Sequence, residues 1–247
     1  MEFDVVIPAR YASTRLPGKP LLDIGGKPLI RWVYECARKS AAHRVLVATD
    51  DERVVNVVNH FGGEAHLTGG DHLSGSDRVA ELVRRLEFPE NRIVVNVQGD
   101  EPLMPGALID QVAHILADDE SILVSTACYQ IKSSGELNDP NVVKVVCDLK
   151  GRALYFSRAA IPWQRDAGAA CIPALRHIGI YGFRAGFLGQ YSSWPATELE
   201  KKEQLEQLRI LENGRDIAVC EATVLPGPGI DTPADLENFR NWVSNNG

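Results

Sequence analysis

The strongest constraint on this fold is a rhythm that runs up to Ser121, in which short apolar runs alternate with segments of helical period. The runs FDVVIPA, RVLVATD, EAHLT and RIVVNVQGD read as strands. Between them, PLIRWVYECARKS places Leu29, Val33, Cys36 and Ala37 at helical spacing, and DERVVNVVNHFG reads as a second helix. Further helices are expected from about Ser76 to Leu86 and from about Pro105 to Ala117. Near-continuous apolar strands separated by helices make an α/β fold with a mainly parallel sheet covered by helices on both faces. Ligands of such sheets bind at the carboxyl ends of the strands, so polar clusters just after strands become site candidates.

From Ser121 the rhythm changes. ILVSTACYQI, NVVKVVCD, RALYFSR and HIGIYGFR read as strands without regular helices between them, and Asp148 to Gly151 reads as a hairpin turn. This is an inserted, mainly antiparallel portion. The stretch IPWQRDAGAACIPALR has neither period and is expected as a surface loop or an intersubunit arm. TELEKKEQLEQLRILENG reads as one charged helix with Leu205, Leu208 and Leu211 on one face. After a strand IAVCEA, a closing helix starts with Thr232 as N-cap and Pro233 in first position. No repeat or low-complexity tract interrupts residues 1–247, which read as a single domain.

Composition narrows the function. A chain of 247 residues with 45% hydrophobic content can bury a full core, and a net charge of −7 argues against a general nucleic-acid binder, which needs a basic face. The five cysteines, Cys36, Cys128, Cys147, Cys171 and Cys220, are odd in number and lack C-x-x-C spacing, as expected of reduced thiols. The chain opens on a strand-like segment, and no run approaches the ~18 apolar residues of a membrane span. A cytoplasmic protein without a membrane span is expected.

Cations are concentrated in one place, directly after the first strand, where Arg10, Ser13, Thr14, Arg15 and Lys19 crowd into one loop with Gly18. Guanidinium forks, an ammonium, hydroxyls and a glycine that lets backbone approach a ligand fit a polyphosphate; taken alone, the loop reads equally well as a solvated basic turn. Two familiar phosphate motifs are excluded. Neither Gly18-Lys19 nor Gly26-Lys27 sits in a G-x-x-x-x-G-K frame, both lysines precede proline, and no G-x-G-x-x-G occurs. Later strand ends add Gln98, Gly99, Asp100 and Glu101 in VVNVQGDEPL, and Asp231 in GPGIDTPADL, where Thr232 is the better helix cap and leaves Asp231 free. Carboxylates there suit Mg²⁺, which prefers oxygen ligands and bridges one or two carboxylates to substrate phosphates. HLSGSDR, residues 72–78, could read a base or ribose or simply cap a helix.

Taken in order, IPARYASTRLPGKPL, GKPLI, VATDD, HLSGSDR, VNVQGDEP, LYFSRAAIPW, RHIGIYGFR, LEQLR and GIDTPADL resemble the 3-deoxy-manno-octulosonate cytidylyltransferases, also called CMP-KDO synthetases, over nearly the whole chain. The resemblance implies a GT-A-like nucleotidyltransferase fold, a homodimer, and the use of CTP and Mg²⁺ to activate KDO (3-deoxy-manno-octulosonate) for lipopolysaccharide or capsule assembly. It implies that Arg10, Ser13, Arg15 and Lys19 surround the CTP phosphates, and that Gly75, Ser76, Asp77, Arg78 and Gln98 recognise the cytidine. Asp100 and Asp231 would hold Mg²⁺. Arg158, His177, Tyr181, Glu206 and Gln207 match the family's sugar-acid region, with Arg158 as carboxylate partner, and residues 121–195 would form a sugar-binding and dimerisation subregion. Catalysis would fall to Arg15, Lys19, Asp100 and Asp231. Two rivals are a cytidylyltransferase for another acidic sugar and a non-catalytic nucleotide sensor.

Overall fold

The computed structural model describes residues 2–13, 15–72, 74–165 and 173–246. Thr14, Cys171 and the middle of the expected loop at 161–176 lie outside the described residues. Strand β1 (Phe3–Ala9) leads through the basic loop to a small ladder, β2 (Asp23–Ile24) and β3 (Lys27–Pro28), whose turn is made by Gly25 and Gly26. Then α1 (Leu29–Ala37), β4 (Arg44–Thr49), α2 (Glu52–His60), β5 (Glu64–Leu67), α3 (Gly75–Arg85), β6 (Ile93–Asn96) and α4 (Gly106–Asp118) keep the expected alternation. The remaining elements are β7 (Val124–Gln130), α5 (Ser134–Asn138), β8 (Lys144–Cys147), β9 (Ala153–Ser157), β10 (Leu175–Arg184), α6 (Ala185–Ser193), α7 (Glu198–Glu203), α8 (Leu208–Glu212), β11 (Ala218–Glu221) and α9 (Pro233–Asn246).

One sheet in the order β11-β7-β10-β6-β1-β4-β5 carries the fold, with β8 and β9 attached through β10. Along that order every strand runs parallel to the others except β10, which is antiparallel to both β6 and β7. Its residues come from the portion whose sequence lost the helix alternation. The β8–β9 hairpin forms where expected: the Asp148 carboxylate accepts from the Lys150 and Arg152 amides, and Gly151 takes a left-handed φ of 74°.

β1 is buried throughout because the sheet is covered on both faces. Val5 and Ile7 pack with Leu29 and Val33 of α1, Val54 of α2, Leu108 of α4 and Phe239 of α9. Val6 faces the other way, with Leu82 of α3, Leu188 of α6 and Leu208 of α8. Among the described residues no helix is long and apolar enough to cross a membrane.

The charged segment at 197–214 is not one helix. α7 ends at Gln204, which adopts a left-handed conformation with φ 54°, and α8 begins only at Leu208. The Leu205 amide returns to the Glu200 carbonyl at 3.2 Å, so the chain turns and buries Leu205 and Leu208, which a straight helix would aim along one stripe. No glycine marks this break, and burial of the leucines offsets the strained backbone at Gln204.

At the amino end of β1 the fully buried Asp4 carboxylate is held by Arg92 (Nε to Oδ2, 2.8 Å) and by Arg44 (NH2 to Oδ2, 3.4 Å). Burial pushes its pKa up, but hydrogen bonds and charge from the two arginines outweigh burial and hold it below the ordinary value. The stabilisation is therefore complete above the unfolded carboxylate pKa of about 3.9 and is lost as pH falls through the lower folded value. Asp4→Asn should cost about 2–3 kcal/mol at pH 7, and its gap to wild type in urea denaturation should shrink below about pH 4. An equal gap at pH 7 and pH 3 would contradict this.

Candidate active site

The basic loop is shaped by Gly18, whose φ of 68° only glycine adopts without strain and whose Cα is covered by the Tyr11 ring. From there a single 3-10 turn, Lys19–Leu21, swings Lys19 back over the carboxyl end of the sheet. Opposite it, Gly99 packs so tightly on β1 that an added Cβ would lie 2.7 Å from the Pro8 carbonyl. That contact lets the chain after β6 run beside the basic loop and bring Asp100 to it.

Lys19 Nζ lies 2.7 Å from Asp100 Oδ2 and 3.1 Å from Asp231 Oδ1. Asp231 reaches this point because the Ile230 amide donates to the Asp100 carbonyl at 2.9 Å. The helix cap is supplied by Thr232, whose hydroxyl accepts from the Asp235 amide while Asp235 accepts from the Thr232 amide, leaving the Asp231 carboxylate to the site. Arg10, Ser13, Arg15, Lys19, Gly75, Arg78, Gln98, Asp100 and Asp231 all line one cavity of about 360 Å³. Arg10 and Arg15 are exposed on its wall. Next to the carboxylate pair, Glu101 has its pKa pushed up to about 8 by burial and by the charges of Asp100 and Asp231.

The HLSGSDR segment divides. Gly75 and Arg78 line this cavity, and Arg78 is fully buried, donating to Asp50 Oδ2 at 3.2 Å and to the Gly69 carbonyl at 3.1 Å. Asp50 also accepts from the Tyr11 amide, so Arg78 braces the basic loop from below. Asp77 turns away. Its carboxylate accepts from Ser74, the N-cap of α3, at 2.7 Å and from Arg209 at 3.3 Å. Ser76 is buried and belongs to a polar chain: Gln98 donates to Asn96, Asn96 to Ser76 at 3.3 Å, and Ser76 to Glu206 Oε1 at 3.2 Å.

That chain leads to a second cavity of about 630 Å³, which shares Ser74-adjacent Gly75 and Gln98 with the first and is lined by His177, Gly179, Tyr181, Glu206 and Gln207. The β10–β7 register shifts between Ile178 and Tyr181, opening the sheet beside Gly179. His177 sits between the Phe156 and Tyr181 rings and pairs with the Thr126 hydroxyl at 2.9 Å. Burial raises the Glu206 pKa against the opposing hydrogen bonds from Ser74 and Ser76, and its Oε2 has no hydrogen-bond partner among the described residues. Arg158 does not line this cavity. Its guanidinium donates to the carbonyls of Glu203, Pro140 and Gln204, at 2.7, 2.9 and 3.4 Å.

Sequence reasoning missed Asn96, Asp50 and Arg209. A lone polar residue inside the apolar run IVVNV was the available signal for Asn96; Asp50 and Arg209 look like ordinary surface charges until the fold brings Arg78 to the first and Glu200 and Asp77 to the second.

Residues 5–217 match the family model described as cytidylyltransferase. The chain is 54% identical over 249 aligned residues to a 3-deoxy-manno-octulosonate cytidylyltransferase of Vibrio cholerae serotype O1 (99% of this chain, 98% of that protein). It is 55% identical to the protein of that name from Pseudomonas fluorescens, over 98% of each. A solved CMP:2-keto-3-deoxy-manno-octonic acid synthetase complexed with CTP superposes with a TM-score of 0.92 at 44% identity, covering 100% of this chain and 99% of that one.

Burial alone pushes the His177 pKa down to about 3, so the folded protein holds this imidazole neutral while the unfolded chain takes up its proton near pH 6.5. The depressed value means stability is present above pH 6.5 and lost as pH falls. Between pH 7 and pH 5 wild type should lose about 2 kcal/mol through this residue, and His177→Gln should remove that share in paired urea titrations. Identical pH slopes for the two proteins would show that His177 is solvated.

Proposed function

The chain belongs to the 3-deoxy-manno-octulosonate cytidylyltransferase family, and from that premise we propose that it transfers CMP from CTP to the anomeric hydroxyl of KDO, releasing pyrophosphate. The observation that carries this reading is the pair of adjoining cavities that share Gly75 and Gln98, one cationic with two carboxylates and the other lined by hydrogen-bonding side chains. Two substrates that must react need two sites with a common wall. The exposed guanidiniums of Arg10 and Arg15 and the Ser13 hydroxyl bind the triphosphate, and Gln98 and Gly75 border the cytidine. In the second cavity His177, Tyr181, Glu206 and Gln207 engage the hydroxyls of the sugar acid. Outside this cavity, the guanidinium of Arg158 braces the segment that leads to Glu206 through the Glu203 and Gln204 carbonyls.

No protein nucleophile is required. Transfer of a nucleotidyl group depends on aligning the attacking hydroxyl with the α-phosphorus and on neutralising charge, and the new bond to the sugar oxygen forms as the bond to pyrophosphate breaks. Arg15 and Lys19 stabilise the departing pyrophosphate. Asp100 and Asp231 fit Mg²⁺: both are hard oxygen donors, and they already converge on one cation, the Lys19 ammonium. Among the described residues no cluster of three or more His, Cys, Asp or Glu side chains could hold a metal, so an ion here would complete its shell with substrate and water oxygens. When bound, Mg²⁺ supplies Lewis-acid polarisation of phosphate oxygens.

The same reading makes the enzyme a cytoplasmic homodimer that serves lipopolysaccharide or capsule assembly. The exposed Leu154 and Trp163, 63% and 84% accessible, support a subunit contact in the 121–195 subregion.

Pyrophosphate release from CTP, KDO and Mg²⁺, with product analysis over a panel of sugar acids, tests the assignment. Turnover that prefers another acidic sugar, or CTP binding without turnover, would overturn it. Asp100→Ala should lower turnover on the order of a hundredfold with an unchanged melting temperature. Arg15→Ala should weaken CTP binding more than CMP binding in calorimetry, since it takes away a cation assigned to the outer phosphates. Equal losses for the two nucleotides would move Arg15 away from them.

A further inference from the structure

Among the residues of LEQLR, the leucines are core and Glu206 and Gln207 line the second cavity, which leaves Arg209 without a role. It is 3% exposed. Its guanidinium takes both oxygens of Glu200 on α7, Nε to Oε2 at 2.9 Å and NH2 to Oε1 at 2.6 Å. The remaining nitrogen reaches Asp77 Oδ1 on α3 at 3.3 Å, and the whole group lies over the Tyr191 ring of α6, 4.5 Å from its centre. One side chain therefore ties three helices together with charge-assisted bonds away from water.

Glu206 and Gln207 lie in the short link between α7 and α8, after the left-handed Gln204, where no long helix fixes them. Arg209 sits two residues beyond Gln207 and fastens this link to the amino end of α3, where Gly75 belongs to both cavities. Glu200 also accepts from the Thr197 amide, so the fork holds α7 at its start. A buried ion pair adds little stability over a well-packed apolar replacement, and in some proteins its role is to fix the geometry of the groups it joins.

We infer that Arg209 is a positioning residue: by bridging Glu200 and Asp77 it holds the Glu206–Gln207 wall of the sugar-acid cavity in register with the nucleotide loop. This rests on reading the two cavities as the CTP and KDO sites. α3 is the anchored partner, packed through Val79, Leu82 and Val83 against the sheet, so loosening the bridge displaces the sugar wall and spares the nucleotide side.

The test compares Arg209→Lys, which keeps the charge but not the fork, and Asp77→Asn, which spares the Arg209–Glu200 pair, with wild type. The readouts are the half-saturating KDO concentration in pyrophosphate release at saturating CTP, CTP affinity by calorimetry without KDO, and the unfolding midpoint. Arg92→Gln, which weakens the remote pair with Asp4, is the control for lost stability alone. The expected result is a half-saturating KDO concentration raised about tenfold in both variants, CTP affinity within about twofold of wild type, and no KDO shift in the control. Should Arg209→Lys fail to fold, Asp77→Asn alone decides. An unmoved KDO dependence, an equal loss for CTP, or the same KDO shift in Arg92→Gln overturns the inference while wild-type turnover keeps the assignment standing. Wild type that releases no pyrophosphate with KDO overturns the assignment itself, and the inference with it.

Discussion

At the carboxyl end of the sheet, two carboxylates from distant parts of the chain meet at one ammonium group. Lys19 satisfies Asp100 and Asp231 together, and without a cation between them two carboxylates this close would repel. Holding it there takes a left-handed glycine at 18, a glycine at 99 that lets two chain segments touch, and a backbone bond from Ile230 to Asp100. The site is thus a backbone construction first. Its side chains have the right chemistry because strand ends and tight turns have already been brought to one place.

The two cavities share more than a border. Gln98, Asn96, Ser76 and Glu206 form a continuous chain of polar groups from one to the other, and its two middle members are buried. Buried polar groups are tolerated when they bond to one another, and the bonds through Asn96 and Ser76 hold these two side chains in place. Such an arrangement suits a reaction that depends on alignment. It also accounts for Ser76 and Asp77, which stand in the nucleotide motif by sequence yet face the framework that joins the two cavities.

What could be read from the sequence follows the range of the forces involved. Strand and helix positions up to Ser121 show as hydrophobic periods because burial on a two-sided sheet imposes them residue by residue. Asp100 and Asp231 show because they follow apolar strands or precede a capped helix. The break at Gln204 did not show, since no glycine announces it and the leucine spacing fits a straight helix equally well. Arg158 carries a motif's chemistry, but its fork goes to backbone carbonyls, and only the folded chain reveals which acceptors are nearest. Asn96, Asp50 and Arg209 matter through partners distant in sequence, which no local pattern encodes.

The reach of that central ammonium bears on how the protein is made. Lys19 and Asp231 are 212 positions apart, and Asp231 lies between β11, which pairs with β7, and α9. Contacts of such separation form late, because the chain between them must first be ordered. On the ribosome, the loop and Asp100 emerge long before their second carboxylate does. A growing chain therefore carries the basic loop and Asp100 before the second carboxylate that meets Lys19 has been made.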